Sequence, residues 1–328
     1  MKSFGKSLNQ YLALIILIVI VVVGANMLYP GATSIDNIYS MSTFGVEIGL
    51  IALGMTLIIM AGGGGIDLSV GAIYALTQII AAYLMAEGVN MWAAVGIAIL
   101  SGVFMGFVNG YMVTKLRIPA IIATLATMYV FNGLALLISN GVNIAGMPEE
   151  FAIFGQGVMF GNIPFQFIAI YLPALIIIGY LLSRSLFGYQ LYLTGTNDAS
   201  AKLAGINTDR VRLITYMLTG LLCAIAGIIG SSRLLTARPD AGDIMNLQAV
   251  TIAVLGGASI FGGRGTVIGT FLSTIVITLL AYICNLININ AVMQTGAIGI
   301  ILIVITLGQN NFGGLKRLKS VFLARKAV

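Results

Sequence analysis

The sequence predicts an all-α polytopic membrane protein with about ten transmembrane helices, and two observations lead to that prediction. Hydrophobic residues fill 59% of the 328 positions and charged residues only 8%, whereas soluble domains are about one quarter charged. Apolar runs long enough to cross a bilayer recur along the whole chain. Because no polar stretch is long enough to form a second domain, residues 1–328 are predicted to form one transmembrane domain.

A window of about 20 residues, moved along the chain, yields ten predicted spans. The first apolar run, Tyr11–Tyr29, lacks a cleavage site for a secretory signal, so we interpret it as the first transmembrane helix. The eighth span is short, and the junctions at 62–67 and 263–265 are tight. The predicted spans are 11–29, 43–61, 68–86, 91–111, 118–139, 166–183, 213–232, 248–262, 266–286 and 293–309.

The distribution of lysine and arginine indicates the orientation of these spans. With the N terminus in the cytoplasm, all but two of the 16 cations fall on the inside. Such a bias follows the positive-inside rule and favours an even number of spans with both termini inside. The basic C-terminal tail is therefore interpreted as an inside anchor and not as a nucleic-acid patch. The two cations outside are Arg233 and Arg238.

Composition disfavours several kinds of site. The chain has no histidine, and Cys223 and Cys284 lie in apolar segments, as is typical of core-filling residues. We therefore predict no metal site and no catalytic residue. A P-loop of the form G-x-x-x-x-G-K-[ST] is absent from the sequence, so ATP is expected to bind elsewhere.

The stretch GGGGIDLSVG, Gly62–Gly71, interrupts the apolar pattern at the cytoplasmic end of the second span. Glycines allow positive φ and close backbone approach. Asp67 is predicted to be the N-cap of the third span, near the interface, with Ser69 in the first turn. A role in gating or in polar contacts across the subunit is the alternative. Glu47 is expected to snorkel to the outer interface.

A second glycine cluster, in the stretch FGGRGTVIGT, has the same internal spacing as the first. This repetition suggests an internal duplication, although 41 glycines make chance matches easy. Both clusters fall on the cytoplasmic side, whereas a five-plus-five duplication would be inverted. With Asp67 and Ser69, the candidates for a gating or fold signature are Gly64, Gly65 and Gly71 in the first cluster and Gly262, Gly263 and Gly269 in the second.

Three motifs, in order, resemble those of the permease subunits of ribose-type sugar ABC importers. GGIDLSVG (Gly64–Gly71) is closely similar to one signature of that family, and VLGGASIFGGRGTVIGT (Val254–Thr270) resembles a second. FGYQLYLTGTNDASAKLAGI (Phe187–Ile206) resembles the cytoplasmic loop of that family. The resemblance covers about residues 10–310. The sequence departs from the pattern at Gly62 and Gly63, which are extra glycines, at Ser200 for alanine and at Thr196 for glycine.

The resemblance implies a fold like that of the ten-helix type II importers, in the bacterial inner membrane. It implies three protein partners within the lipid bilayer or at its surfaces: a second permease subunit, identical or paralogous; a cytoplasmic ABC ATPase that binds ATP and Mg; and a periplasmic or lipid-anchored solute-binding protein. This chain would bind no cofactor. It would pass a monosaccharide or sugar-like solute by alternating access.

The inside loop 184–212 carries the signals of a short helix. Asn197 and Asp198 are good caps, and Gly205 stands at a helix-stop position. A helix rich in small residues can lie in a groove of a partner, so we predict a coupling helix that contacts the ATPase; a solvated loop helix is the alternative. The candidate coupling residues are Gly195, Asn197, Asp198, Ala199, Ser200, Ala201, Lys202, Leu203, Ala204 and Gly205.

Two outer features are candidate contacts for the binding protein. Arg233 and Arg238 oppose the positive-inside rule, so we predict that they pair with acidic residues of that protein. Internal pairs with Asp240 or Asp243 are the alternative. The outer segment Asn140–Gln166 is a candidate outer gate because of its length and the family resemblance.

The solute pathway is weakly specified by the sequence. Polar residues within spans are candidates, and helix–helix hydrogen bonds are the alternative for each of them. A permease for nucleosides, branched-chain amino acids or a signalling furanone, and a stand-alone secondary carrier, remain alternative functions. The pathway candidates are Thr56, Gln78, Asn109, Thr124, Asn132 and Gln248.

Overall fold

The computed structural model of the chain describes residues 2–290 and 293–303. Within this part, seven helices are long and apolar enough to cross a membrane, and three apolar helices are shorter. Each of the ten predicted spans overlaps one of these helices, and the prediction of an all-α polytopic membrane protein is confirmed. The predicted tail cations from Lys316 onward and the end of the tenth predicted span lie outside the described residues.

The apolar helices differ from the predicted spans mainly at their ends. The second helix begins eight or so residues earlier than expected, because Ser34 caps it by accepting from the Asn37 N–H. The apolar helices are α1 (Lys2–Leu28), α2 (Ile35–Met60), α3 (Val70–Ala86), α4 (Met91–Thr114), α5 (Ala120–Ser139), α7 (Leu172–Arg184, continuous with a π-helical turn at Gln166–Tyr171), α10 (Thr208–Leu234), α11 (Met245–Leu255), α12 (Val267–Leu286) and α13 (Met293–Ile303).

Helix α2 lies at the centre of the molecule. The apolar stretch of α2 is 89% buried within the protein, compared with 11% for that of α1 and 33% for that of α4. Helix α2 packs against α10, α11 and α12, and it is apolar nearly all round because protein surrounds it. The outer helices expose leucine, isoleucine and phenylalanine, as expected of helices that face lipid.

Helices α4 and α10 pack closely along a stripe of small residues. Gly102, Gly106 and Gly110 recur at every fourth position, so they share one face of α4. A Cβ at Gly106 would collide with the backbone of Tyr216, and one at Gly110 would lie 2.8 Å from a methyl group of Leu213. Small residues at this spacing let helix backbones approach within a membrane.

Two non-helical segments, the first of them largely buried, lead into helices whose first turns meet in the protein interior. Residues 61–69 precede α3, and residues 238–244 precede α11. The Gly71 N–H donates to Asn246 Oδ1 at 2.7 Å, and the backbones of Gly71 and Gly242 are in contact. Irregular backbone survives at this depth because protein covers it. The first turns of α3 and α11 therefore lie side by side.

The outer segment between α5 and α7 is folded over the outer end of α10. Its first strand, β1 (Ile144–Ala145), pairs with β4 (Thr236–Ala237), and β2 (Val158–Met159) pairs with β3 (Ile163–Pro164). A 3₁₀ turn at Glu149–Ala152 and the short helix α6 (Ile153–Gln156) lie between them. Phe151 is fully buried, and its carbonyl accepts from the Ser232 hydroxyl.

Candidate functional site

The two glycine clusters meet the cytoplasmic loop in one place, which we call the glycine junction (Gly62, Gly195, Gly262 and Gly263). The Gly263 N–H donates to the Met60 carbonyl at 3.0 Å. A Cβ at Gly62 would lie 2.9 Å from Gly195 Cα, and one at Gly195 would collide with the Met60 carbonyl. Three backbone segments therefore touch where side chains would keep them apart.

Left-handed backbone at the glycine junction gives a second reason for glycine. Gly62 has φ 70°, Gly262 has φ 87° and Gly263 has φ 69°, a region that residues with a Cβ rarely adopt. Gly62, an extra glycine relative to the family pattern, is thus part of the contact. Both clusters lie at the same end of the molecule, as their predicted cytoplasmic placement requires.

The short helix predicted in the inside loop is present as α9 (Asp198–Leu203). The Asn197 side chain caps it by accepting from the Ser200 N–H at 3.0 Å, and Gly205 has φ 80° just beyond its end. A helix that the sequence did not predict, α8 (Leu186–Thr196), comes before it. Ser185, which caps α8 by accepting from the Gly188 N–H, was the available signal.

An ion pair between Asp198 and Arg212 holds α9 to the first turns of α10, and a second pair lies within α9. The Asp198 carboxylate lies 2.7 Å from Lys202 Nζ and 2.9 Å from Arg212 Nη2. Partial burial raises the pKa of Asp198, but the hydrogen bond from Lys202 and the charge of Arg212 outweigh it, so that the pKa lies below the usual 3.8. Asp198 is therefore ionised at neutral pH, and the contact between α9 and α10 is charge-assisted.

The opposite face of α9 is open to solvent. Leu203 is 91% exposed, and Ala201 is the residue of this helix that packs inward. A leucine held this far out on an anchored helix presents apolar surface to a partner. The exposed residues of the predicted coupling set are Asn197, Ala199, Ser200, Lys202, Leu203, Ala204 and Gly205.

Asp67 lies in a buried polar network and is not the N-cap of α3. The N-cap is Ser69. Asp67 Oδ1 accepts from the Ser69 N–H at 2.7 Å and from its hydroxyl at 2.6 Å, an Asx turn that comes before the helix. Asp67 is completely buried within the protein.

The network continues from Asp67 into the neighbouring helices. The Asn109 amide donates to Ser69 Oγ at 2.7 Å, and Asn109 Oδ1 accepts from the Thr127 hydroxyl at 2.6 Å. The Leu68 N–H donates to Thr124 Oγ1 at 3.1 Å. The segment between α2 and α3 is thereby attached to α4 and α5 through polar groups that are satisfied inside the protein.

Glu47 does not snorkel to the outer interface. It is 2% exposed, since α2 begins at Ile35 and places Glu47 about three turns inside the helix. Arg233 Nε donates to one carboxylate oxygen and the Tyr74 hydroxyl to the other, each at 2.6 Å. The Arg233 guanidinium also lies 4.4 Å from the centre of the Phe44 ring.

These contacts favour the alternative to the predicted docking role, in which the two arginines form internal pairs. The Arg233 guanidinium is paired with Glu47 within the subunit, so the charge of Arg233 is already compensated. Arg238 pairs with Asp240, with Nη2 3.0 Å from the carboxylate, as the alternative had it. The hydrogen bond from Arg238 holds the pKa of Asp240 below its usual value. Arg238 and Asp240 are both exposed and neutralise each other.

The six pathway candidates do not behave as one group. Thr56 donates to the Ala52 carbonyl and lies 2.8 Å from the Thr270 hydroxyl, while Asn109 and Thr124 belong to the Asp67 network. These three contacts support the helix–helix alternative. Gln78 is buried, and Asn132 and Gln248 are partly exposed.

Comparison with known proteins identifies a family and several relatives. A family described as "Branched-chain amino acid transport system / permease component" matches residues 37–313. The ribose import permease protein RbsC of Bacillus subtilis is 38% identical over 92% of this chain and 92% of its own length. RbsC of Haemophilus influenzae is 33% identical over 94% of each chain. The autoinducer 2 import system permease protein LsrC of Yersinia pseudotuberculosis is 32% identical over 81% of this chain and 77% of its own. No solved structure gives a significant match.

Proposed function

We propose that this chain, which belongs to the family of transport-system permease components matched above, is the membrane permease of an ATP-driven importer for ribose or a closely related monosaccharide. The observation that carries the proposal is the similarity, over nearly the whole chain, to permeases whose names specify ribose import. The chain is a multi-pass protein of the inner membrane, and its family consists of permease subunits, which are not themselves enzymes.

We assign contact with a separate ABC ATPase to α9. This helix is anchored on one side by Arg212 and presents Leu203 on the other. This attachment to α10 matters because a helix that transmits movement from the ATPase must move together with the membrane helices. A solute-binding protein on the outer face and a second permease subunit complete the proposed assembly.

Helix α10 gives a route by which movement at α9 can reach the outer face. It is 27 residues long, about 40 Å at 1.5 Å per residue. Arg212 near its start holds α9, and Arg233 near its end holds Glu47. The Gln156 side chain of the folded outer segment donates to the Arg233 carbonyl at 3.0 Å. A shift of α10 would therefore act on the outer segment directly, as alternating access requires.

Solute uptake by cells tests the proposal. Deleting the gene should abolish uptake of radiolabelled ribose at low concentration, and the wild-type gene should restore it. Excess unlabelled ribose should compete, whereas leucine and adenosine should not. Competition by leucine or adenosine alone would assign the permease to another solute of the superfamily.

The energy source separates an ABC importer from a secondary carrier. Vanadate that is loaded together with ATP into sealed right-side-out membrane vesicles should stop uptake, and collapse of the ion gradient with ATP maintained should not. A pull-down of the tagged chain from its native membranes in mild detergent should recover an ATPase with a P-loop. Uptake that follows the ion gradient, together with a complex lacking any ATPase, would contradict the proposal.

A further inference from the structure

A cavity of about 190 Å³ lies at the cytoplasmic end of the molecule, inside one subunit. Its walls come from the end of α2 and the loop that follows, from the turn between α4 and α5, and from the first turns of α10. The lining residues that matter for its chemistry are Gly62, Gly63, Arg117, Ala120, Arg212 and Tyr216.

The Tyr216 side chain contributes a polar group that the fold itself does not use. Tyr216 is 3% exposed, and its hydroxyl has no hydrogen-bond partner among the described residues. A buried hydroxyl without a partner is destabilising, because it has lost its hydrogen bonds to water. Phenylalanine would fill the same volume without an unpaired hydroxyl. The presence of tyrosine beside a cavity therefore points to a ligand that supplies the missing partner.

Arg212 and the first turn of α5 add donors. Arg212 directs Nε to the Ala61 carbonyl and Nη2 to Asp198, which leaves Nη1 for a ligand. Ala120 is the first residue of α5, and Pro119 before it provides no side-chain cap. The first N–H groups of a helix have no acceptor within it and lie at the positive end of its dipole.

Charge around the cavity favours an anion. Asp67, on the loop after α2, is not among the residues that line the cavity, although its carboxylate interacts electrostatically with Tyr216. No carboxylate among the described residues lines it. Asp209 pairs with the lining residue Arg117, and Asp198 with Arg212. Cations still outnumber carboxylates, because the segments at 61–69, 115–119, 184–212 and 256–266 carry three carboxylates, Asp67, Asp198 and Asp209, and seven cations: Lys115, Arg117, Arg184, Lys202, Arg210, Arg212 and Arg264.

We propose that this cavity binds the phosphate group of a small molecule or of a lipid headgroup, with the Tyr216 hydroxyl, the Arg212 guanidinium and the first N–H groups of α5 as its ligands. These groups are all donors, and a phosphate offers acceptors in several directions. The binding itself does not depend on the proposed transport function.

Occupancy of the cavity would act on α9, a consequence that rests on the proposed function. Arg212 holds Asp198 at 2.9 Å and faces the cavity as well. A phosphate would share this guanidinium with Asp198 and weaken the attachment of α9 to α10. The cavity would then link a cytoplasmic phosphate compound, or the adjacent leaflet, to the helix that meets the ATPase.

Binding of inorganic phosphate to the purified full chain in detergent is the first test. Thermal unfolding is followed against phosphate concentration, with chloride at matched ionic strength as the reference. Phosphate should raise the unfolding temperature saturably in the wild type. Tyr216→Phe should weaken binding about tenfold, since one hydrogen bond to a charged group is lost. Tyr180→Phe, at an exposed tyrosine of α7 away from the cavity, should bind like the wild type.

Two further measurements make the test decisive. Arg212→Lys keeps the charge but not the planar fork, and it should weaken phosphate binding even if Tyr216→Phe proves too unstable to titrate. Native mass spectrometry of the mildly purified chain identifies the source. A phospholipid retained by the wild type and lost in both variants indicates a headgroup, whereas phosphate binding without retained lipid indicates a soluble compound. A wild type that neither responds to phosphate more than to chloride nor retains a phospholipid, or binding and lipid retention unchanged in both variants, would overturn the proposal.

Discussion

Arg233 and Glu47 form a buried ion pair whose two members depend on each other. Their side chains are 18% and 3% exposed, so neither charge can turn to water if the other is removed. Loss of one partner of such a pair is strongly destabilising, about 3–5 kcal/mol. The Arg238–Asp240 pair lies on the same side of the molecule but is about half exposed, and exposed pairs contribute about 0–1 kcal/mol.

We therefore expect Arg233→Gln to lower the thermal stability of the chain in detergent strongly, and Arg238→Gln to change it little. Adding Glu47→Gln to Arg233→Gln should recover part of the loss, because the uncompensated carboxylate is then gone. Unfolding of the four proteins, followed by circular dichroism or by fluorescence, measures these differences. Equal, small effects of the two arginine substitutions would show that the two buried charges do not depend on each other for stability.

At the scale of the elements, the glycine junction joins α2, α8 and the loop before α12 through backbone contacts. Gly195→Ala places a methyl group against the Met60 carbonyl and the Gly263 N–H. Neither group is a flexible side chain, so the backbones must separate, and overpacking of this kind costs about 1–3 kcal/mol. Gly179 in α7 is the matched control, because nothing lies within 4 Å of an added Cβ there.

Gly195→Ala should reduce both thermal stability and ribose uptake, whereas Gly179→Ala should preserve uptake and leave stability unchanged or raise it by up to about 1 kcal/mol. Stability in detergent and initial uptake rate, each normalised to the amount of chain in the membrane, provide the comparison. If Gly195→Ala behaved like Gly179→Ala, the backbone contact would not be tight in the functioning protein.

The coupling role of α9 can be tested at its most exposed residue. Leu203→Ser removes apolar surface that makes no contact within the subunit, so it should not alter thermal stability. If Leu203 packs into a groove of the ATPase, its loss should weaken that complex about tenfold or more, as expected for burial of a leucine side chain. Val158→Ser, at an exposed residue of β2 on the outer face, is the control.

Recovery of the ATPase in a pull-down, relative to the chain itself, measures the effect. It should fall for Leu203→Ser and stay constant for Val158→Ser, with the loss of uptake following the loss of the complex. Unchanged recovery for Leu203→Ser would indicate that α9 is a solvated helix, and the assignment of the ATPase contact would then have to move elsewhere on the cytoplasmic face.

At the scale of the whole molecule, the features that could be predicted from the sequence are those that depend on residues close together in the chain. The apolar spans and the cap of α9 are local, since Asn197 and Ser200 are three residues apart. The glycine at every fourth position of α4 is also a local signal, because the spacing alone indicates close helix packing. The partner of Glu47 could not be found this way, because Arg233 is 186 residues distant and no pattern links them. The buried network of Asp67 could not be found this way either, because it depends on contacts of residues 61–69 with α4 and α5.

Orientation in the membrane is the remaining whole-molecule prediction, and it rests on the distribution of cations. Glu150 lies on the folded outer segment and Lys202 on α9, and both are exposed. The positive-inside rule places α9 in the cytoplasm and the outer segment outside. Labelling of single-cysteine variants tests this orientation directly. The two native cysteines do not interfere, since Cys223 is buried and the partly exposed Cys284 can be replaced by alanine.

In the Cys284→Ala background, a membrane-impermeant maleimide should label Glu150→Cys in intact spheroplasts. Lys202→Cys should be labelled only after the membrane is permeabilised. The two variants control for each other, because each must react under one condition and its reactivity is thereby shown. The reverse pattern would place α9 outside the cell, where no ATPase could reach it, and would overturn the orientation and the coupling assignment together.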